Sequence, residues 1–197
     1  MGITTGILLF EEMEELDVVG PWEVFGMAAQ LNGADRVLGI AEGSAPVRCA
    51  KGLRYVPDAT LADAPALDVL VVPGGWGTRR EVDNAVITDW IRKTGASCRW
   101  VTSVCTGALL LQAAGFLDGR RATTHWASIE WLRGRGNVTV LENTRYVRDG
   151  NVVTSAGVSA GIDMSLWLIG QLYDADFARS VQRAMEYDPA PPYAAAV

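Results

Sequence analysis

The sequence predicts an α/β fold, a mostly parallel sheet with helices on both faces, and three observations predict it. Short apolar runs rich in branched residues recur along the chain, as buried parallel strands require. Segments of helical period lie between them, which argues for strand–helix–strand units. The 197 residues, 49% hydrophobic and 20% charged, suffice for one core, and no repeat or low-complexity linker divides residues 1–197 into more than a single domain.

The first strand is expected at Ile3–Phe10 (ITTGILLF). After an acidic connection, Leu16–Gln30 reads as a helix, with Pro21 in its first turn and Val24, Phe25, Ala28 and Leu31 at helical spacing. Arg36–Ala41 reads as a strand, Val47–Pro57 as a polar hairpin, and Leu67–Pro73 (LDVLVVP) as a strongly apolar strand that ends in Gly74-Gly75. Val86–Gly95 has the pattern of an amphipathic helix, Arg99–Ser103 of a short strand, and Gly107–Ala114 of a buried helix. Thr123–Gly134 carries a helix, Asn137–Leu141 and Arg145–Ser155 read as strands with a turn at Asp149-Gly150, and Ser159–Leu172 is a long apolar helix. The tail from Asp188 is rich in Pro and Ala.

Composition excludes several classes of function. The net charge is −6 with arginines scattered among acids, so a nucleic-acid or anionic-membrane surface lacks its electrostatic footprint. No signal-like segment and no long apolar stretch is visible, so a cytoplasmic protein is expected. Cys49, Cys98 and Cys105 are odd in number and widely spaced, unlike a disulfide framework or metal hooks, and His125 is the only histidine. No metal is expected, and acid–base chemistry must draw on carboxylates or that one ring.

The strongest chemical signal is Val101-Thr-Ser-Val-Cys105-Thr-Gly, a strand turning sharply into a helix with small residues around the cysteine. This is a nucleophile-elbow pattern: it lifts the thiol over the sheet and aims a helix N-terminus at it, favouring an exposed, acidic thiolate. The competing reading is a small buried apolar residue, which is how Cys49 and Cys98 read. At Pro73-Gly74-Gly75-Trp76, successive glycine amides either stabilise developing negative charge or form a plain turn, with Trp76 as a pocket wall. Asp17, flanked by Leu16 and Val18, is either a partly buried acid with a raised pKa or a helix cap. Glu11, Glu12, Glu14 and Glu15 read as a solvated face. His125 is either a base for the thiol or a hydrogen-bonded structural residue.

In combination, LDVVGP, VVPGG, VTSVCTG, AAGFLDGRRATTHWA, VRDGNVVTSAGVSAGID and EYDPAPP keep their order along the chain. On these motifs the sequence resembles the DJ-1/PfpI superfamily, and within it the isocyanide (isonitrile) hydratases. The resemblance implies a flavodoxin-like, class I glutamine amidotransferase-like fold and a homodimer. It also implies a hydro-lyase acting on a small molecule without a cofactor, through a covalent thioimidate on Cys105 with Asp17 as general acid/base and Thr106 beside the nucleophile. Relatives with protease or glyoxalase activity place histidine directly after the cysteine, where this chain has Thr106. Two other readings stay open: a redox or stress-response protein sensing oxidation at Cys105, and the ligand-sensing domain of an AraC-type regulator.

Overall fold

The computed structural model describes residues 2–189. Its strands are β1 (Thr4–Leu9), β2 (Arg36–Ala41), β3 (Val47–Arg48), β4 (Arg54–Tyr55), β5 (Ala59–Thr60), β6 (Val69–Val72), β7 (Trp100–Val104), β8 (Arg120–Ala122), β9 (Val138–Val140), β10 (Tyr146–Asp149) and β11 (Val152–Ser155). The helices are α1 (Glu15–Asn32), α2 (Thr78–Glu81), α3 (Ala85–Gly95), α4 (Gly107–Ala113), α5 (Ile129–Arg133), α6 (Ala160–Leu172) and α7 (Ala175–Ala184).

Every residue of β1 and β6 is buried, which explains why neither run alternates apolar with polar: both faces of the sheet are covered. The sheet runs β10-β11-β7-β6-β1-β2-β5 and is parallel throughout except for the antiparallel edge strand β10. Its parallel core, read in chain order, has the 2-1-3-4-5 arrangement of a flavodoxin-like fold. The strand order reverses between β1 and β6, so ligands are expected where the chain leaves the carboxyl ends of these strands. The polar excursion folds as the β3–β4 hairpin, and β8 pairs with β9 in a separate parallel ribbon.

The structure corrects the sequence reading at several points. Helix α1 begins at Glu15, so Pro21 lies inside it, not in its first turn. Pro21 has no N–H to give to the carbonyl four residues back, that of Asp17. The turn carrying Asp17 is anchored from outside the helix instead: Glu15 Oε1 accepts the Lys51 N–H, and Glu14 pairs with the Lys51 ammonium. Glu11 and Glu12 are solvated as expected, whereas Glu14 and Glu15 tuck against Lys51. Leu31 is exposed while Val24, Phe25 and Ala28 are buried. Three elements had no counterpart in the sequence reading: β5, α2 and α7. The two-residue β5 and four-residue α2 are too short to show a period, and in α7 only Val181 is buried. Most of the Pro- and Ala-rich tail, residues 190–197, and with it the end of EYDPAPP, lies outside the described residues. Among the described residues no helix is long and apolar enough to cross a membrane.

Candidate active site

Three connections meet above the sheet: the one after β1, carrying Asp17; the one after β6, carrying Gly74 and Gly75; and the one after β7, carrying Cys105. Register puts them there, because β1 pairs with β6 and β6 with β7 in parallel, so all three strands end at the same edge.

Cys105 occupies the turn between β7 and α4 with φ of 57°, a left-handed conformation that costs a non-glycine residue about 1–3 kcal/mol. Its surroundings hold it there. The Cys105 N–H donates to the carbonyls of Ser155 and Ala156 (3.2 and 3.1 Å), and its own carbonyl accepts the buried Thr124 hydroxyl at 2.8 Å. The expectation of an exposed thiol is corrected: Cys105 is 6% exposed, at the floor of a cavity. The expected acidity is corrected too. Burial first, and then the charge of Asp17, push the thiol up to about 12, although the Thr106 N–H and hydroxyl and the Val158 N–H oppose the shift.

Asp17 has no solvent exposure and sits in the first turn of α1, whose N-cap is Glu14, so it is not the cap. Its Oδ2 accepts the Gly74 N–H at 2.9 Å. Oδ1 is buried with no partner of ordinary geometry, and the side chain that stabilises the carboxylate is the Cys105 thiol. Burial pushes the carboxyl up to about 8, against the Gly74 hydrogen bond and with help from the charge of Glu14. A raised carboxyl, expected from its apolar neighbours, is what the structure has. Of the pair, the carboxyl is the stronger acid, so it loses its proton first and the resting sulfur is a thiol facing the carboxylate that could receive its proton.

The glycine amides do a different job from the one expected. Gly74 N–H is taken by Asp17, and Gly75 N–H donates to Thr106 Oγ1 at 2.9 Å, so neither is free to hold an oxyanion. Both positions require glycine: a Cβ on Gly74 would lie 2.5 Å from the Thr106 nitrogen and hydroxyl, and Gly75 has φ of 127°. These contacts lock the Cys105 turn, Asp17 and the β6 loop into one unit.

The cavity above Cys105 has a volume of about 290 Å³ and is walled by Gly75, Trp76, Arg79, Thr106, His125 and Val158, among others. Trp76 is at its rim, 65% exposed, with the Arg79 guanidinium 4.1 Å above its ring. His125 faces the cavity, but its Nδ1 accepts the Ala127 N–H at 3.2 Å, which caps the turn before α5 and leaves the proton on Nε2. It is therefore placed to donate, not to act as the base. A second hollow of about 600 Å³ lies on the far side of His125 and Val158. Val158 has φ of 51°, an outlier for a β-branched residue. Cys49 and Cys98 are buried, the latter's thiol bonded to the Thr94 carbonyl.

Thr78, Arg79, Thr124 and Val158 belong to this site and were not found from sequence. The glycines around Val158 in AGVSAG were a signal that went unused, while nothing local distinguishes the three others.

Comparison with known proteins places the chain in a family. The model of the DJ-1/PfpI family matches residues 5–171. An isonitrile hydratase of Pseudomonas putida is 42% identical over 98% of this chain and 82% of its own. The crystal structure of a ThiJ/PfpI family protein from Pseudomonas syringae superposes with a TM-score of 0.90 at 36% identity, covering 100% of this chain and 80% of that one. The HTH-type transcriptional regulator GbdR of Pseudomonas aeruginosa is 29% identical over 93% of this chain, which spans 50% of the regulator's length.

Proposed function

Because the chain belongs to the DJ-1/PfpI family, we propose that it is a cysteine-dependent hydratase converting isocyanides to N-substituted formamides. The observation that carries the reading is the buried Asp17 carboxyl beside the Cys105 thiol at the floor of a small cavity. The likeness to an isonitrile hydratase over nearly the whole chain supports it.

The reaction must add a nucleophile and a proton to one carbon, that of R–N≡C, and later a water. Asp17 carboxylate takes the thiol proton, the sulfur attacks the terminal carbon, and the protonated carboxyl returns that proton to the same carbon, giving the thioimidate R–N=CH–S–Cys105. Asp17 next takes a proton from water as its oxygen adds to the thioimidate carbon, and gives that proton to nitrogen. Loss of the hydroxyl proton, by way of Asp17, to the departing sulfur releases R–NH–CHO and restores the thiol. A carboxyl with a pKa of about 8 has both forms populated near neutral pH, as such shuttling requires. Thr106 donates to the sulfur when it carries charge. With no histidine next to the cysteine, the pair assigned here is Cys–Asp. No step calls for a cofactor. A homodimer and a cytoplasmic location complete the proposal, the former checked by sedimentation.

The direct test mixes purified protein with an aryl isocyanide and follows the formamide by chromatography. Turnover that disappears in Cys105→Ala is the expected result; no turnover, or turnover that survives the substitution, overturns it. A ligand-sensing domain is the second reading, favoured by the likeness to GbdR; tight ligand uptake without turnover would select it. A redox sensor fits the buried, weakly acidic thiol less well.

A further inference from the structure

We propose that Thr78 is a positioning residue that turns the Thr106 hydroxyl proton toward the Cys105 sulfur. The inference deepens the hydratase reading, and it rests on the hydrogen-bond capacity of two buried hydroxyls.

A threonine hydroxyl has one proton and two lone pairs. Three groups lie within hydrogen-bond distance of Thr106 Oγ1: the Gly75 nitrogen at 2.9 Å, the Thr78 hydroxyl at 3.0 Å and the Gly75 carbonyl at 3.3 Å. The Gly75 N–H can only donate, so it fills one lone pair. The contact between the two hydroxyls can run either way in principle, and burial decides it. Thr78 has no solvent exposure, and Thr106 Oγ1 is the hydrogen-bond partner of its hydroxyl among the described residues. Were Thr106 to donate to Thr78, the Thr78 proton would be left buried without an acceptor, which is costly. Thr78 therefore donates, and the second lone pair of Thr106 is filled.

With both lone pairs occupied, the Thr106 proton has two destinations: the Gly75 carbonyl, which accepts it at 3.3 Å in the resting structure, and the sulfur of the adjacent Cys105 once that sulfur is charged. Once the thiolate forms, a charged acceptor outcompetes a carbonyl at 3.3 Å. Thr78 thus never touches substrate. Its effect is to leave Thr106 no alternative hydroxyl to bond and to polarise it, so that the donor is already aimed when charge appears on sulfur.

The test is alkylation of Cys105 by iodoacetamide between pH 6 and 10, read on the Cys105 peptide by mass spectrometry so that Cys49 and Cys98 do not contribute. It reports on the thiol itself, so it decides this proposal whether or not an isocyanide is the substrate. The titratable and charged groups around the thiol are Glu14 and Asp17 at the start of α1, Arg79 on α2 and His125 before α5, and all are retained in the variants. The midpoint of the thiol lies above this window, so the readout is the rate at each pH: Thr78→Val is expected to slow the reaction by about threefold to tenfold throughout, the effect of one hydrogen bond. Thr78→Ser, which keeps the hydroxyl, is expected to restore the wild-type profile. In a Thr106→Val background, Thr78→Val is expected to change nothing further. A wild-type profile in Thr78→Val, a Thr78→Ser protein as impaired as Thr78→Val, or an equal slowing in the Thr106→Val background would each overturn the proposal. If Thr78→Val does not fold, Thr78→Ala removes the same hydroxyl and is held to the same outcomes.

Discussion

Replacing Asp17 with Asn removes an ionisation that the fold resists, and the size of that resistance follows from the structure. Burial carries the carboxyl from its ordinary 3.8 to about 8. Between those limits the native protein holds a proton that the unfolded chain has released. Stability from this source is therefore full below about pH 4 and is lost progressively as pH rises to about 8. Four pH units at roughly 1.4 kcal/mol each amount to a penalty on the order of 5 kcal/mol above that window, against a total stability of about 5–15 kcal/mol for a domain. The Asn side chain is nearly isosteric and its oxygen can still accept the Gly74 N–H, but it does not ionise. Urea unfolding of both proteins at unit intervals from pH 5 to 9 follows the effect, because groups not coupled to Asp17 cancel in the difference. Asp17→Asn should gain on the wild type steadily from pH 5 to 8 and level off above it, ending several kcal/mol more stable. A difference independent of pH, or one that grows in the opposite direction, would refute the account of Asp17 as a carboxyl raised by burial.

The same substitution should lower the pH at which Cys105 is alkylated, because the charge of Asp17 is one of the two causes that raise the thiol, while formamide production falls by about a hundredfold or more with loss of the proton carrier. Turnover that persists would remove Asp17 from the mechanism. Arg79 lies on the cavity wall against Trp76 and forms no ion pair among the described residues, so an isocyanide bearing a carboxylate should bind better than a neutral one of equal size. Arg79→Met should raise KM for the anionic substrate alone, and an equal rise for both would discount a charge effect. Val158→Gly should raise the melting temperature by a few degrees, since relief of a left-handed β-branched residue, about 1–3 kcal/mol, outweighs the roughly 0.5–1 kcal/mol entropic cost of glycine. A lower melting temperature would mean that side-chain packing at Val158 outweighs its backbone strain.

Much of this site was legible in the sequence because its main parts are local. VTSVCTG carries the strand, the turn and the helix start within one stretch, so Cys105 was singled out from adjacent residues, whereas LDVV left Asp17 open between a buried acid and a helix cap until the family resemblance favoured the acid. The acidity of the thiol was misjudged because a helix N-terminus is visible in sequence whereas burial and the facing charge of Asp17 are not. The amides of Gly74 and Gly75 were read as free for the same reason: their partners, Asp17 and Thr106, are 57 and 31 residues away. Pro21 was placed in a first turn because proline ordinarily marks a helix start, although the helix had been read from Leu16, one residue from its observed start at Glu15. Thr78 has no sequence signature, since a hydroxyl acquires its role only when the β6 and β7 loops come together.

Pro21 separates two parts of α1 that variation can treat differently. Downstream, the helix is an ordinary ladder packed on its neighbours, and shifts there are absorbed along its length. Upstream, Asp17 lacks the ladder bond from residue 21 and takes its position from Gly74 and from the Lys51 hairpin. Exchanges on the exposed side of the later turns, Leu31 included, can therefore accumulate during divergence or engineering while the carboxyl keeps its alignment with the sulfur. The proline makes the outer helix a tolerant region attached to an intolerant one, with the boundary one turn beyond the acid.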